Sequence, residues 1–504
     1  MGIDGVGNTR PRTQGAVRRP DAETPTAPPK PTPPVAKPAA NVAPPNPDQS
    51  SFERAPTREG PRLDGPLTGS PPTQEQPKYR KTGAPWGSTS SGTSSTASGS
   101  ARRTMPPPSK GGGLEVDGNR LRFTTSDGKA FDGDVTPENA RDVLALVKQS
   151  DQGTGDVSGS YGVRQAILER SGGKVGTFEA FTIGEPPKDD TLWTWLDNAS
   201  NWLPERRELQ QKLFSSELQK AETLSSRLEP NTVYALRGNT AAGKTTAVKN
   251  DPHLKSKVLD EHGELSGALN PDPIKAEIAK AHGGRISTSQ AHIEGAIISQ
   301  RVEDEMLSRP GSSVVYDKRF AGESDIPRML KAVGDRDVKI VDLEVPLETS
   351  SVRVLMRNPG TPDPLVPFGA VEGGFKGVRH NRASLLLGRP GEFEGVIENE
   401  KITDYKLLVT DERGKQVLVA EKRDGKWFAP DTEEKRALFN RAVFETPAAE
   451  AERVKNTVID EAFIERQVGA ISNPDFASKV GARLTEYKGR TLGEALDEHA
   501  KRTQ

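Results

Sequence analysis

Residues 231–248 read NTVYALRGNTAAGKTTAV, and this stretch decides the fold expected for the chain. The run TVYALRG is apolar and β-prone, which predicts a buried strand, while TTAVKND favours the start of a helix. Between them, the residues from Gly238 to Thr245 fit the pattern GxxxxGK[ST] with every fixed position filled. Because glycines let the backbone curl so that successive N–H groups point inward, this loop predicts a pocket for a polyphosphate.

The loop predicts ATP and Mg²⁺ as cofactors. Lys244 would reach the β and γ phosphates, and the Thr245 hydroxyl would occupy a magnesium position that bridges the same oxygens. An unused glycine-rich turn is the alternative interpretation. The expected nucleotide-binding residues are Gly238, Asn239, Thr240, Ala241, Ala242, Gly243, Lys244, Thr245 and, as a second choice, Thr246.

The composition is uneven along the 504 residues. Hydrophobic residues make up 32% of the chain, and 22 of its 41 prolines fall within residues 1–113. Such a segment buries too little apolar surface to offset the entropy lost on ordering, so it predicts a disordered Pro/Ser/Gly-rich tail. The tail is interpreted as a linker, a targeting or secretion segment, or a proline-rich docking segment.

Overall charge and residue usage exclude several classes of function. With 70 basic and 71 acidic side chains, no net field favours nucleic acid or a membrane as a partner. The absence of cysteine excludes disulfides and thiolate zinc sites, so any metal is expected to be magnesium bound by oxygen. No long apolar run or secretory signal is visible, which predicts a chain that is cytoplasmic when made, with export by a signal-independent route left open.

The patterns predict an α/β fold with a mainly parallel sheet flanked by helices. Alternating residues at 114–131 favour a hairpin or small meander, and the helical pattern after them opens with Thr136 as a cap. The predicted organisation is a small α+β module at 114–187, a helical connector at 188–229, a P-loop core at 230–395, and a β-hairpin with helices at 396–504.

A P-loop alone does not separate kinases, motor ATPases and GTP switches. The sequence contains no NKxD-type guanine signature, and no run of four apolar residues ending in Asp-Glu, although SSVVYD at 312–317 ends in Asp317. These absences favour a small-molecule kinase.

Several stretches after the loop resemble the zeta-toxin-like kinases, near the polynucleotide-kinase branch of P-loop proteins. The resemblance covers about 230–390, and its parts are LNPDPIKAEIAK at 269–280, TSQAHIEGAIISQRVEDEML at 288–307, VVYDKR at 314–319, SVRVLMRN at 351–358 and VRHNR at 378–382. It implies transfer of the γ-phosphoryl group of ATP to a hydroxyl, with Asp272 as the base that accepts the hydroxyl proton. Asp260 is the rival carboxylate, and a helix cap is the structural alternative for Asp272.

The resemblance also implies substrate and lid residues. Glu294 corresponds to an acidic residue on a substrate-facing helix, and its neighbour His292 is interpreted as structural. Arg353 and Arg357 are one helical turn apart, which predicts that both face the same way. The lid arginines of the family suggest Arg357 together with Arg379 or Arg382, and plain surface charge is the alternative for each. Residues 358–377, rich in glycine and proline, predict a mobile lid or substrate loop.

The acceptor is expected to be a nucleotide-like small molecule. The loop after Arg357 does not match that of toxins acting on UDP-N-acetylamino sugars. The chain is more similar to bacterial effector and toxin kinases that phosphorylate NAD on the adenosine ribose 3′-hydroxyl, so NAD is the preferred acceptor. A UDP-sugar kinase and a nucleotide-gated interaction protein without phosphotransfer remain alternatives, and a polynucleotide 5′-kinase is disfavoured because no basic stripe is visible. A neutralising antitoxin or chaperone is a further expected partner.

Overall fold

A computed structural model describes residues 113–189, 191–358, 365–411, 414–471 and 473–502. The predicted disordered tail at 1–113 therefore lies outside the described residues, except for Gly113. Among the described residues, no helix combines the length and the apolar character that crossing a bilayer requires.

Two sheets form in the described residues. The strands are β1 (Glu115–Asp117), β2 (Arg120–Thr124), β3 (Ala130–Asp134), β4 (Thr232–Gly238), β5 (Val314–Asp317), β6 (Asp337–Glu344), β7 (Ile402–Thr410), β8 (Gln416–Arg423) and β9 (Lys426–Phe428). Strands β1, β2 and β3 make an antiparallel meander, while the larger sheet has the order β5-β4-β6-β7-β8-β9. The first four strands in this order pair in parallel. The pairs β7–β8 and β8–β9 are antiparallel, so the sheet is mixed.

Helices cover both faces of the larger sheet, as a mostly parallel sheet requires. Every residue of β4 is buried, which explains why TVYALRG reads as a continuous apolar run. The helices are α1 (Ala140–Thr154), α2 (Ser160–Arg170), α3 (Thr177–Phe181), α4 (Leu192–Asp197), α5 (Pro204–Ser225), α6 (Lys244–Asn250), α7 (Pro252–Val258), α8 (Pro271–Ala281), α9 (His292–Ser308), α10 (Asp325–Ala332), α11 (Leu347–Leu355), α12 (Phe368–His380), α13 (Arg382–Leu387), α14 (Glu433–Phe444), α15 (Pro447–Lys455), α16 (Glu461–Gly469), α17 (Pro474–Thr485) and α18 (Leu492–Lys501).

The N-terminal meander has the turns that the sequence predicts. Gly118 and Gly128 adopt φ angles of 57° and 86°, which side chains other than glycine rarely reach. The following helix, however, begins at Ala140 rather than next to Thr136. Thr136 instead donates its backbone N–H to the side chain of Asn139 at 2.8 Å, which makes a turn before the helix.

The predicted helical connector is interrupted. Helix α4 ends before Asn198, a short 3₁₀ helix spans Ala199–Asn201, and α5 begins at Pro204. The Asn198 side chain accepts the backbone N–H of Ser200 at 3.0 Å, so it starts a new turn instead of continuing the helix. Trp202 is fully buried and donates its indole N–H to the Leu196 carbonyl at 2.7 Å, which fixes the bend.

The N-terminal module shares one apolar core with the elements that carry the site. Val143 and Ile167 of the module belong to the same buried cluster as Ile274 of α8 and Ile298 of α9. At the other end of the chain, β7 pairs in parallel with β6. The larger sheet therefore runs across the predicted boundary at 395/396 without interruption.

The second half of the predicted lid loop at 358–377 is helical. Residues 359–364 lie outside the described residues, but Phe368–His380 form α12. A side chain at Gly377 would place its Cβ 2.6 Å from the Ala321 carbonyl oxygen, and one at Gly374 would come within 2.8 Å of the Asn239 side chain. Gly374 and Gly377 therefore allow the helix to pack closely, and they do not indicate a loop.

Candidate functional site

The glycine-rich loop lies at the carboxyl edge of the parallel strands, where open α/β sheets usually bind their ligands. The loop leaves β4 at Gly238, where a Cβ would come within 3.1 Å of the Leu343 carbonyl oxygen of the neighbouring strand. Its last residue, Gly243, adopts a left-handed conformation with φ of 84° and precedes α6 directly. Both glycine positions of the motif are thus required by local geometry.

Helix α11 holds the loop from one side. Asn239 is buried, accepts the Thr240 N–H at 2.7 Å, and donates to the Ser350 hydroxyl at 3.2 Å. Ser350 in turn donates to the Thr240 carbonyl at 2.8 Å. Arg353, one turn further along α11, donates to the Ala241 carbonyl at 3.2 Å. The loop is therefore preorganised by side chains as well as by its own glycines.

Lys244 faces a carboxylate from the adjacent strand. Its Nζ lies 3.4 Å from Oδ1 of Asp317, the last residue of β5. The other oxygen of Asp317 accepts a hydrogen bond from the Asn270 side chain at 3.0 Å. Asp317 Oδ1 is buried, and no residue that the structure describes makes a hydrogen bond with it. This arrangement leaves a buried anionic oxygen beside the loop.

Asp272 is brought to the same edge by the segment before α8. Leu269 donates its N–H to the Val315 carbonyl at 2.7 Å and so adds one bridge to the outer side of β5. Asn270 then caps α8 by accepting the Asp272 N–H at 2.9 Å while it bonds Asp317. The Asp272 side chain stays 33% exposed, so the same Asn-Pro-Asp stretch caps a helix and leaves its carboxylate accessible.

Of the two arginines predicted to share a helix face, Arg353 lies on α11 and Arg357 does not. The helix ends at Leu355, and Arg357 lies beyond it with its carbonyl accepting a hydrogen bond from His499 at 3.0 Å. Arg353 is half-buried, and burial lowers the pKa of its guanidinium. Within the described residues, the Ala241 carbonyl is the only partner of that guanidinium. Arg353 thus contacts the loop from α11.

Arg379 and Arg382 lie in a buried ion-pair network at the end of β6. Arg379 bonds Glu344 and also Glu450 at 2.6 Å, and Arg382 bonds Glu344 at 2.6 Å. Asp342 pairs with Arg382 at 3.0 Å and with Arg237 at 2.6 Å. Burial alone would raise the pKa of Asp342, but the two arginines outweigh it and lower this pKa to about 2. The structure therefore gives both predicted lid arginines protein carboxylates as partners.

Glu294 is also occupied by a protein partner. Its side chain is fully buried, and its two oxygens accept hydrogen bonds from Arg206 of α5 at 2.7 and 2.6 Å. Gln210 donates to the same carboxylate at 2.9 Å. Glu294 therefore ties α9 to the connector and does not join the residues around the loop.

The remaining predicted residues divide between the site and its surroundings. The rival carboxylate Asp260 accepts the N–H groups of His262 and Glu264, both at 2.9 Å, within its own turn.

Thr245 is half-buried and Thr246 is exposed, and neither hydroxyl is bonded by another described residue. The described residues contain no group of three or more acidic or histidine side chains arranged to hold a metal. Any ion here would need nucleotide oxygens to complete its coordination.

Sequence reasoning missed three residues near the site. Ser350 braces the loop together with Arg353, which the sequence did single out, although not for this contact. The Gln416 amide nitrogen lies 3.7 Å from where a Cβ on Gly243 would be. Lys275 forms an ion pair with Asp272. Spacing is the only signal for Ser350 and Lys275. Ser350 stands three residues before Arg353, and Lys275 stands three residues after Asp272, which places each pair on one helix face.

The described fold and site define an α/β protein in which a mixed sheet is flanked by helices and a glycine-rich loop links a buried parallel strand to a helix. Similar solved structures are complexes of AvrRxo1-ORF1 with AvrRxo1-ORF2. The identity is 32% to the complex with sulphate ions, 31% to the complex with ATP and 32% to the native complex. Each comparison covers 65% of this chain and 98% of the solved chain, with a TM-score of 0.58.

This chain therefore belongs to the AvrRxo1 family. No protein-family model and no curated protein matches it.

Proposed function

We propose that this protein is an ATP-dependent small-molecule kinase of zeta-toxin type that acts as a toxin or effector. It transfers the γ-phosphoryl group to a hydroxyl of a nucleotide-like acceptor, with NAD preferred. The observation that carries this proposal is the chain of contacts from Lys244 through Asp317 and Asn270 to Asp272. It joins a phosphate-binding type of loop to an accessible carboxylate. The ATP present in one related complex supports the choice of donor.

The donor end of the site consists of the loop, Lys244 and Arg353. The loop amides and the Lys244 ammonium bind the phosphate tail. Arg353 is a half-buried cation whose only described partner is a carbonyl, so an anion at the loop would compensate its charge better than the protein does. The guanidinium then also offers donors to phosphate oxygens.

The residues present fit a magnesium ion. Asp317 contributes a buried oxygen without a hydrogen bond, and Thr245 contributes a hydroxyl that no other described residue bonds. Oxygen ligands of this kind, completed by phosphates and water, are what Mg²⁺ prefers. When bound, the ion neutralises charge on the phosphate oxygens.

At the acceptor end, Asp272 accepts the proton of the attacking hydroxyl as the phosphoryl group leaves ATP. Arg357, next to the undescribed residues 359–364, remains the proposed lid arginine. We assign Arg379 and Arg382 to holding α12 and α13 against the sheet, because carboxylates already occupy their donors. Glu294 is assigned to the contact between α9 and α5 for the same reason.

The relatives are complexes with a second chain, ORF2. We propose a corresponding neutralising or chaperoning partner for this chain. Co-purification of this chain with a co-expressed neighbouring gene product, together with loss of growth inhibition, would support that role.

The kinase proposal is tested by incubating the purified protein with [γ-³²P]ATP and either NAD or a UDP-N-acetylamino sugar. We expect labelled NAD, and we expect Asp272→Asn to slow labelling by about 10² to 10⁴-fold because the proton acceptor is lost. The affinity for a non-hydrolysable ATP analogue should stay within about threefold.

Asp260→Asn is the control, since Asp260 only bonds amides of its own turn. An Asp260→Asn enzyme that loses activity while Asp272→Asn retains it would reassign the base. Binding of ATP without any labelled acceptor would overturn the kinase proposal in favour of a nucleotide-gated interaction protein. A labelled UDP-sugar would replace NAD as the acceptor.

A further inference from the structure

A lysine is built into the helix pair beside the proposed base. Lys275 lies on α8, one turn after Asp272, and its side chain is only 8% exposed. Its stem passes Gly295 of α9, where a Cβ would lie 2.7 Å from Lys275 Cγ and 3.4 Å from the Lys275 backbone nitrogen. Any larger residue at position 295 would therefore displace the stem, so the glycine provides the space that it occupies.

The buried ammonium group has two partners. It forms an ion pair with Asp272, and its Nζ lies 3.4 Å from His292 Nδ1. Because an ammonium can only donate, Nδ1 accepts, and the imidazole is neutral with its proton on Nε2. Partial desolvation and the nearby ammonium both lower the pKa of His292, although part of the ring is exposed. Lys275 thus lies between a neutral histidine and Asp272, and its ion pair is with Asp272.

We propose that Lys275 is a positioning residue, which acts through Asp272 by holding its carboxylate oriented towards the loop. This inference rests on the proposed kinase function, in which Asp272 accepts the acceptor proton. The cap bond holds the Asp272 backbone N–H and leaves its carboxylate free to rotate. The charge-assisted contact with the Lys275 ammonium limits this rotation.

The groups that face this pair come from three elements. Lys275 belongs to α8 itself, and His292 faces it from α9. Asp317 at the end of β5 is linked to the cap through Asn270, and Arg319, two residues further on, acts on His292 as a second positive charge. Of these groups, Lys275 is the one that forms an ion pair with Asp272. Removing it should therefore affect the Asp272 carboxylate more than removing any of the others.

The test uses the full chain with Lys275→Met, which keeps the stem and removes the charge. Without the ammonium the carboxylate can rotate away from the acceptor, so we expect kcat to fall about 10-fold or more across the kcat–pH profile. The affinity for the ATP analogue should stay within about threefold, because the loop is untouched. Gly295→Ala, which moves the stem but keeps the ammonium, should cause a smaller fall in kcat.

The matched control is Lys280→Met on the same helix. Lys280 makes an i,i+3 ion pair with Glu277 but is 77% exposed, so its loss should leave the profile unchanged. A readout independent of catalysis is the His292 titration followed by NMR. We expect the His292 pKa to rise in Lys275→Met, because Lys275 lowers it in the native protein.

The outcomes separate the two proposals. A Lys275→Met enzyme with the native kcat would overturn the positioning role while leaving the kinase intact. An unchanged His292 titration would show that the ammonium is not where the structure has it, and would overturn the inference whatever the activity. A native enzyme that labels no acceptor would remove the proposed function, and the role of Lys275 with it, even where the His292 titration shifts as expected.

Discussion

One oxygen of Asp317 lacks the hydrogen bond that buried carboxylates usually have. A buried oxygen without a hydrogen bond costs free energy, so proteins usually give such an atom a partner. Among the described residues, Asp317 Oδ1 faces the Lys244 ammonium at 3.4 Å, in a geometry that makes no hydrogen bond. Asp342, in contrast, accepts several close donors. Under the proposed function, a cation that arrives with the nucleotide would satisfy the Asp317 oxygen.

Replacing Asp317 by asparagine should therefore change the magnesium dependence. The amide keeps an oxygen to accept the Asn270 hydrogen bond but loses the charge that attracts a divalent ion. We expect the Mg²⁺ concentration for half-maximal phosphotransfer to rise by about 10-fold or more, in line with a lost charged ligand. Glu261→Gln, an exposed change, serves as the control. An unchanged Mg²⁺ titration in Asp317→Asn would contradict the assignment.

At single positions, the sequence predicted the loop better than the charged residues around it. The motif fixes its own geometry, because Gly238 and Gly243 meet steric demands that lie within a few residues or on the next strand. Glu294 is held by Arg206, 88 residues away, and Arg382 by Asp342, 40 residues away. Residue type alone cannot tell whether a charged group meets a ligand or a protein partner that is distant in sequence.

Helix α12 connects the loop to the rest of the fold at the scale of elements. Its Gly374 lies against Asn239 of the loop, and its Val378 carbonyl accepts a hydrogen bond from Arg237 at 2.6 Å. Arg237 immediately precedes the loop, so α12 contacts the loop strand and the loop itself. The helix thereby takes the place that the sequence assigned to a mobile lid, and it makes this part of the site rigid.

Adding one methyl group to the packed face of α12 should disturb this arrangement. In Gly377→Ala the new Cβ would lie 2.6 Å from the backbone oxygen of Ala321, which cannot move aside as a flexible side chain would. We expect the free energy of unfolding to fall by about 1 to 3 kcal/mol, as overpacking usually costs. We also expect weaker binding of the ATP analogue.

Gly373→Ala on the same helix is the matched control. No atom lies within 4 Å of its added Cβ, so it should leave stability unchanged or raise it by about 0.5 to 1 kcal/mol. Chemical denaturation of both variants makes the comparison. Equal stability of the two variants would show that α12 does not pack as described.

Elements with a strong local pattern were predictable, and those defined by packing were not. The meander and strand β4 follow directly from alternation, glycine turns and an apolar run. The glycines of 369–377 suggest a loop because propensity alone penalises them in a helix, whereas close contacts with Asn239 and Ala321 require two of them, Gly374 and Gly377. The break in the connector at Asn198 likewise depends on burying Trp202.

At the scale of the whole molecule, buried charges mark both edges of the larger sheet. The carboxyl edge contains the Asp342 network. There Arg237 and Arg382 both pair with Asp342 and lower its pKa, which keeps the carboxylate ionised. The amino edge contains Lys339, whose ammonium bonds Glu229 at 3.0 Å and lies 3.6 Å from Asp404. Glu229 also pairs with Lys257 at 2.8 Å, whereas Asp404 Oδ1 has no hydrogen-bond partner among the described residues. The two edges should respond to pH in opposite ways.

Asp404 should make the fold less stable as the pH rises from about 4 to about 7. Burial, reinforced by Asp424 and only partly opposed by Lys339, raises the pKa of Asp404 to about 7. In this range the unfolded chain has already lost the proton that the folded protein retains, so unfolding releases a proton and becomes more favourable as the pH increases. Asp404→Asn removes this dependence. We expect the variant to lose less free energy of unfolding than the native protein between pH 4 and 8, by about 1 to 4 kcal/mol.

Asp337→Asn, at the exposed start of β6, should follow the native curve in urea denaturation. A native protein whose stability rises steadily from pH 4 to 8, with Asp404→Asn following the same curve, would contradict a protonated carboxyl at this edge.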